Sequence, residues 1–376
     1  MFKKVLFLLF ISTFIISCKT NKATSDLNTT TFDNFDNQVN AGYRQTFILK
    51  SDKTLWAAGD NSSYQLGTDD TSNRVKFVQV ASGVILVRSG QSHTVYLKSD
   101  GTLWGTGNNT YGQLGLGTTT NKTTFTQIAD NVKFVATGYN NTFIIKNDDT
   151  LWATGQNNFY QLGLGHNNEV KTFTYVTSNV KYVASGLNYT YVLKTDGTLM
   201  SVGLNANGQL GLGDTNYRDN LTTVSISNVK LVASGQTQAF VLKNDGTLWG
   251  TGSNDTGQLG TNDFTNQLSF TQVESDVKTV AAGGYHTFII KNDGTLYYTG
   301  YGDWGQLGNN QTGSTIKIKT FTSLMSGVKD VSCGWKHTII LKSDNTFYTT
   351  GNNESYQLGI DSTTDLAKST FTSVVF

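Results

Sequence analysis

Gln65-Leu66-Gly67 is the first of seven copies of one tripeptide, followed by Gln113-Leu114-Gly115, Gln161-Leu162-Gly163, Gln209-Leu210-Gly211, Gln258-Leu259-Gly260, Gln306-Leu307-Gly308 and Gln357-Leu358-Gly359. Successive copies are 48, 48, 48, 49, 48 and 51 residues apart. A fixed period of this size marks a repeat architecture, in which one supersecondary unit is stacked on copies of itself. It also sorts residues by role. A side chain written into every unit builds the fold, and function falls to the residues that differ between units.

Working outward from Gln113, one unit reads as four short strands. Val84 to Gly90 opens it, and Thr94-Val95-Tyr96-Leu97-Lys98 is an alternating, β-branched run. Ser99-Asp100-Gly101-Thr102 is a hairpin turn of Asp-Gly type, expected as type I′. Leu103-Trp104-Gly105-Thr106-Gly107 returns, a long loop carries the tripeptide, and Phe125-Thr126-Gln127-Ile128 closes the unit. Four antiparallel strands repeated seven times predict an all-β, seven-bladed β-propeller of four-stranded blades. A solenoid is the alternative. The chain ends favour the ring: Gln38-Val39-Asn40-Ala41-Gly42 is an opening strand without a closing one, and Phe371 to Val375 a closing strand with nothing after it. Paired in one blade, these N- and C-terminal strands would hide both edges. The repeats then run roughly 42–89, 90–137, 138–185, 186–234, 235–282, 283–333 and 334–376 plus 37–41, in a domain of 37–376.

Residues 1–17 read as a signal peptide. Lys3 and Lys4 precede the apolar run Val5–Ile16, which is too short to span a bilayer. Ile15-Ile16-Ser17-Cys18 resembles a bacterial lipobox, which implies that Cys18 is lipidated. Residues 18–36, rich in Thr, Asn and Asp, are expected to be a flexible tether. The address implied is the bacterial cell envelope, outer membrane most simply, with membrane contact through the lipid anchor alone. The remaining cysteine, Cys333, is expected to be a small strand side chain and not a disulfide partner.

Composition narrows the function classes. Charged residues are 15% of the chain, the formal charge is +1, and proline is absent. A near-neutral body argues against nucleic acid, which requires a basic face. The histidines His93, His286 and His337 share one repeat position, His166 is isolated, and no metal-ligand spacing occurs. Glu169, Glu274 and Glu354 lie in separate repeats, without the paired carboxylates of a glycosidase. Asp214-Thr215-Asn216 has only part of a calcium loop. No cofactor, metal site or catalytic residue is expected. The recurrent Lys–x–Asp of each hairpin is a candidate anion ring on paper, but matched charges predict a solvated Lys beside its own Asp. The recurrent Trp56, Trp104, Trp152, Met200, Trp249, Tyr297 and Tyr348 are expected to pack between blades.

The composite Gly-x-x-His-Thr, short strand, Asp-Gly-Thr-Leu-Trp and Gly-x-Asn-x-x-Gly-Gln-Leu-Gly resembles the repeat of the regulator of chromosome condensation family, over about residues 38–376. The resemblance implies a seven-bladed propeller closed by strands from both termini. The histidine position departs at Gln45, Asn141, Tyr189 and Gln238, and the asparagine position at Gly302. The eponymous member is a nuclear exchange factor whose inserted wedge has no counterpart here, so that activity is not expected. A secreted bacterial member that grips β-lactamase with one propeller face is the nearer precedent.

Antiparallel alternation puts the turn after Gly90 and the Gln-Leu-Gly loop on one face and the hairpins on the other. The first face is the one that varies. It carries Tyr43, Arg44, Tyr139, Tyr285, Trp335 and Lys336 in the turns, and Tyr111, Phe159, Tyr301, Asp303 and Trp304 in the loops. Aromatic residues with arginine nearby suit a protein interface. An unknown protein partner is therefore expected, with an envelope or environmental polysaccharide as the alternative.

Overall fold

The computed structural model describes residues 37–376, so the expected signal peptide, Cys18 and tether lie outside the described residues. The described chain forms seven four-stranded antiparallel sheets in a ring, with no helix among them. Blade 1 is β1 (Gln38–Ala41), β2 (Gln45–Leu49), β3 (Leu55–Gly59) and β4 (Arg74–Ala81); numbering continues in chain order to blade 7, which is β25 (Val328–Cys333), β26 (His337–Lys342), β27 (Phe347–Asn352) and β28 (Ala367–Ser373). Each sheet follows chain order from axis to rim.

The core lies between blades. In one such layer Leu97, Leu103 and Leu114 of blade 2 pack with Val132, Val135 and Ile144 of blade 3 and with Trp152. Trp104, Trp249, Tyr297 and Tyr348 likewise pack on the preceding blade, and Trp56 on blade 7. In six of the seven blades the large residue after the hairpin thus joins blades, as its repetition predicts. A fully buried leucine is worth about 2 kcal/mol, and the leucines of all seven tripeptides are buried.

The tripeptide itself is a staple. The Gln113 side-chain carbonyl accepts the Tyr111 N–H at 3.0 Å, and the Gln113 main-chain carbonyl accepts the Thr142 hydroxyl of the next blade at 2.7 Å. Asn109 holds the loop from inside: its Oδ1 accepts Leu114 N–H at 2.9 Å and its Nδ2 donates to Thr118 O at 2.9 Å. Gly115 sits at φ +70°, and a Cβ there would stand 2.5 Å from the Phe173 ring of blade 3. Only glycine fits both the left-handed backbone and that approach. Tyr64, Tyr160 and Tyr356, which replace glycine before the tripeptide, tolerate the left-handed conformation at φ 66°, 63° and 64°.

Three expectations are corrected. First, the hairpin is not type I′, which needs positive φ at both central residues. Only Gly101 has it, at +81°, and Lys98 O accepts Gly101 N–H while Lys98 N–H donates to Thr102 O. This is a type I turn closed by a G1 bulge. Asp100 accepts the Thr102 N–H and hydroxyl at 2.9 and 2.6 Å, which holds its carboxyl below the ordinary value. Lys53, Asp149 and Asn345 occupy the glycine position with φ 65–66°.

Second, the hairpin lysine does not simply stand in solvent beside its Asp. Lys98 lies 4.6 Å from the Trp104 ring centroid, and Lys50, Lys146, Lys243, Lys291 and Lys342 cover Trp56, Trp152, Trp249, Tyr297 and Tyr348 in the same way. Blade 4 proves the cause: Met200 offers no ring, and Lys194 turns to Thr177 Oγ1 and Ser178 O.

Third, the chain ends meet at one seam of the ring, but as neighbouring blades and not as strands of one sheet. β1 pairs with β2, and β28 with β27. The tail closes the seam beyond β28: Val375 N–H donates to Gly359 O and Val375 O accepts Phe77 N–H, both at 2.9 Å. Phe376 then packs against Trp56, Phe77 and Phe347.

Candidate functional site

Each turn from first to second strand begins at a glycine that carries the innermost strand's end to the ring axis. A Cβ on Gly90 would lie 2.3 Å from the His93 ring and 2.7 Å from Gly138 O, so the turns can crowd the axis only as glycines. They enclose a cavity of about 170 Å³, whose mouth is formed by Tyr43, Tyr139, Leu187, Gln236 and Trp335 among others. Neighbouring turns are stitched by Gln91 N–H to Tyr139 O at 2.8 Å and Gly284 N–H to Gly334 O at 3.2 Å. The residue after the glycine is therefore fixed in place while its identity is free.

That freedom is spent on one aromatic cluster at the seam. Tyr43 of blade 1 stacks on Trp335 of blade 7 with centroids 4.5 Å apart and planes at 10°, and meets Tyr139 edge-on at 5.6 Å. Arg44 lies 5.8 and 5.4 Å from the Tyr43 and Trp335 rings. Lys336 lies 4.9 and 5.2 Å from Trp335 and Trp304, and pairs with Asp303 at 3.2 Å. Asp303 also accepts from Gln306 Nε2 at 3.0 Å, which ties the cluster to a tripeptide glutamine. Each aromatic pair adds about 1 kcal/mol beyond the area it buries, so the platform is preformed.

Of the residues singled out from sequence, Tyr43, Arg44, Tyr139, Asp303, Trp304, Trp335 and Lys336 come together. Tyr285 adjoins Tyr43 and Asp255; burial, with those neighbours, raises its phenol above the ordinary value. Burial also pushes Tyr139 up to about 12, with Tyr43 and Tyr111 nearby. Tyr301 lies beside Asp303. Phe159 is exposed on the blade 3 loop, away from the seam. The sequence reading missed Tyr217, Phe264 and Leu366, exposed on the same loops, and the Tyr160–Tyr217 stack at 5.4 Å. Their signal was present: each is a large apolar side chain at a position that does not repeat.

Beneath this surface lies a buried relay. His93 Nε2 meets Thr142 Oγ1 at 3.1 Å, His286 meets Thr338 at 3.0 Å, and His337 meets Thr46 at 2.8 Å. Each threonine hydroxyl donates onward to the carbonyl of Gln113, Gln306 or Gln357. The threonine must then accept from the histidine, which fixes the Nε2–H tautomer. Burial lowers His93 to about 4 and both His286 and His337 to about 3. Gln45 and Gln238 replace the relay with bonds to Gly90 O and Gly283 O. Tyr189 faces Ala239 where threonine would stand, and reaches Gln238 O and Gly235 O instead. Asn141 is too short, and neither end of its amide finds a partner.

Asp214, the remnant of a calcium loop, is occupied by Arg218 at 2.6 Å and by Asn205. Cys333 donates to Ala281 O at 3.4 Å. Among the described residues, no three His, Cys, Asp or Glu side chains converge as metal ligands.

The fold and this face define a repeat propeller with a uniform scaffold and one variable surface. The chain belongs to the regulator of chromosome condensation repeat family: that repeat is matched at residues 84–113, 132–161, 180–209, 277–306 and 328–357, and by a second description at 100–145, 245–290 and 293–341, together more than half of the chain. No curated protein matches its sequence. Among solved structures it is similar to yeast RCC1 (Prp20) bound to Kap60, with 19% identity, TM-score 0.77, and 92% of this chain and 86% of that one covered. Prp20p from Saccharomyces cerevisiae, studied with Gsp1p and histones, aligns at 21% identity and TM-score 0.77 over 90% and 88% of the two chains. Human WBSCR16 aligns at 19% and 0.75 over 86% and 94%. At these identities the likeness is one of fold.

Proposed function

We propose that the chain is a lipid-anchored protein of the bacterial cell envelope whose variable face binds another protein, as an adaptor, scaffold or inhibitor and not as an enzyme. Lys3, Lys4, the apolar run Val5–Ile16 and the Ile15–Cys18 lipobox support the address. The binding reading is carried by the preformed Tyr43–Trp335 stack with Arg44 over it, since rigid aromatics and arginine are the residues that dominate protein interfaces. The solved structure of Kap60 bound to yeast RCC1 (Prp20) is a precedent for a protein of this fold in such a role. A sugar platform needs an uncovered ring face. Trp335 has Tyr43 on one side and cations close by, so the protein reading is favoured over the polysaccharide.

The test is crosslinking and capture from membranes carrying the intact chain. Trp335→Ala is expected to lose the captured protein with little change in melting. A partner retained by Trp335→Ala but lost on hairpin-face changes, or binding on a glycan array in place of a protein partner, would overturn the reading. Incorporation of radiolabelled palmitate, lost in Cys18→Ser, tests the anchor separately.

A further inference from the structure

The point at which the chain enters the propeller has a direction. Asn37 lies among the hairpins: its Oδ1 accepts Ser51 N–H at 2.8 Å, and its Nδ2 lies 3.5 Å from Asn345 Oδ1. Ser51 and Asn345 are both hairpin residues. From Asn37, β1 climbs along the innermost layer and delivers Ala41 to the cavity on the opposite face, next to Tyr43. The lipid-proximal end of the domain is therefore at the hairpin face, near the axis.

We propose, resting on the lipid-anchored reading above, that the propeller stands on the membrane with its hairpin face toward the lipid. The Tyr43–Trp335 face then points away from the bilayer, toward a protein partner that arrives from the aqueous side. The length of the connecting chain supports this. Eighteen residues, 19–36, separate Cys18 from Asn37, and a random chain of eighteen residues averages about 25 Å from end to end. A six-residue strand is about 20 Å tall, and the three intervals between four strands, at about 4.8 Å each, carry the sheet about 14 Å from its innermost strand to the rim. From an exit near the axis, the upper face can meet the same bilayer only if the chain runs out to the rim and up its height, about 34 Å. The hairpin-down arrangement needs no such path.

The two surfaces agree with that orientation. Hairpin tips are Ser, Thr, Asn, Asp, Gly and Lys, with each Asp capping its own turn and all but one of the hairpin lysines laid over a ring. Such a face suits a hydrated headgroup layer, and the exposed Phe376 at its edge is held against Trp56 and Phe347 and covered by Lys50. The large exposed residues Phe159, Tyr217, Phe264 and Leu366 are on the opposite loops.

Energy transfer from the intact lipidated protein to headgroup-labelled lipid decides the matter. The protein is reconstituted in phosphatidylethanolamine–phosphatidylglycerol vesicles with a donor dye at Thr195→Cys or Thr215→Cys, exposed positions on the hairpin and the loop of blade 4. Transfer is expected to be stronger from 195 than from 215. Equal or reversed transfer, with melting unchanged by either label, would overturn the orientation. A Cys18→Ser protein that still associates with the vesicles would overturn the anchor reading instead, so the two failures are distinct.

Discussion

The hairpin face and the loop face are built from the same seven units, yet they differ in what the units are permitted to vary. At the hairpins, Asp caps its own turn and Lys covers the following aromatic, so every function of the sequence there is local, and six of the seven blades repeat the whole solution. On the loop face the repeated residues are underneath. Asn109, Gln113 and the His93–Thr142 relay fix the backbone from inside and between blades, which leaves the outward side chains without a structural task. Variation is thus tolerated where the scaffold is held from below, and Tyr43, Tyr139 and Trp335 occupy that freedom. Substituting a repeated residue should change stability alone; substituting a cluster residue should change binding.

The largest effect expected from the repeated set is with pH. His93, His286 and His337 are held neutral by burial, at about 4, 3 and 3 against 6.5 ordinarily. Below pH 6.5 the unfolded chain takes up protons there and the folded one does not. Stability present above 6.5 is therefore lost as pH falls toward 4, at up to about 1.4 kcal/mol per pH unit for each histidine. Asp330 opposes the loss: burial raises it to about 6 from 3.8, so the folded state alone takes up that proton on the way down. Three groups against one leave a net loss of several kcal/mol between pH 6.5 and 4. Urea midpoints should fall steeply over that range, more steeply in Asp330→Asn. They should level off when all three histidines become glutamine, the residue already used at 45 and 238. A flat wild-type profile would contradict the buried neutral relay. Partner loss at pH 7 in the glutamine variant, with unchanged melting, would break the division between the two sets.

Next in size is Gly115→Val. The substitution costs about 1–2 kcal/mol for left-handed backbone and about 1–3 kcal/mol for collision with Phe173, and should lower the thermal midpoint without selecting against the partner in the folded fraction. A midpoint within error of wild type would show that the tripeptide glycine is dispensable and that its repetition needs another cause.

Seven copies of a tripeptide at near-constant spacing made the blade count and the two faces legible, because a propeller repeats its solution in sequence. What was not legible depends on backbone detail or on closure. Asp100–Gly101 reads as type I′ until Asp100 is seen to lack positive φ. The destination of Lys98 depends on a ring two residues past the turn, and Gln38–Ala41 could pair with either end of the ring until register decides it. The site was legible as a set of residues but not as a cluster. Tyr43 and Trp335 lie near opposite ends of the chain and touch only because blades 1 and 7 adjoin, whereas Phe159, equally conspicuous in sequence, stands apart on blade 3.

The smallest prediction acts where the repeated set is imperfect. Asn141 occupies the relay position of blade 3, its amide unpaired beside Gly138, while Thr190 of blade 4 already donates to Gln161 O at 2.8 Å. His93 finds the same onward bond at Thr142, although Thr190 also meets Ser185 Oγ at 3.1 Å. Asn141→His should complete a fourth relay, removing two buried unpaired atoms and leaving one, as at the other histidines, for a gain of about 1 kcal/mol at pH 7. The same substitution adds a fourth buried neutral histidine, so the gain should shrink and then reverse as pH falls below 6.5. A gain at pH 7 matched by Asn141→Leu would mean that the new side chain merely fills space. A gain that Asn141→Leu lacks, and that shrinks with acid, would identify the hydrogen-bonded relay, and not bulk, as what joins one blade to the next beneath the variable face.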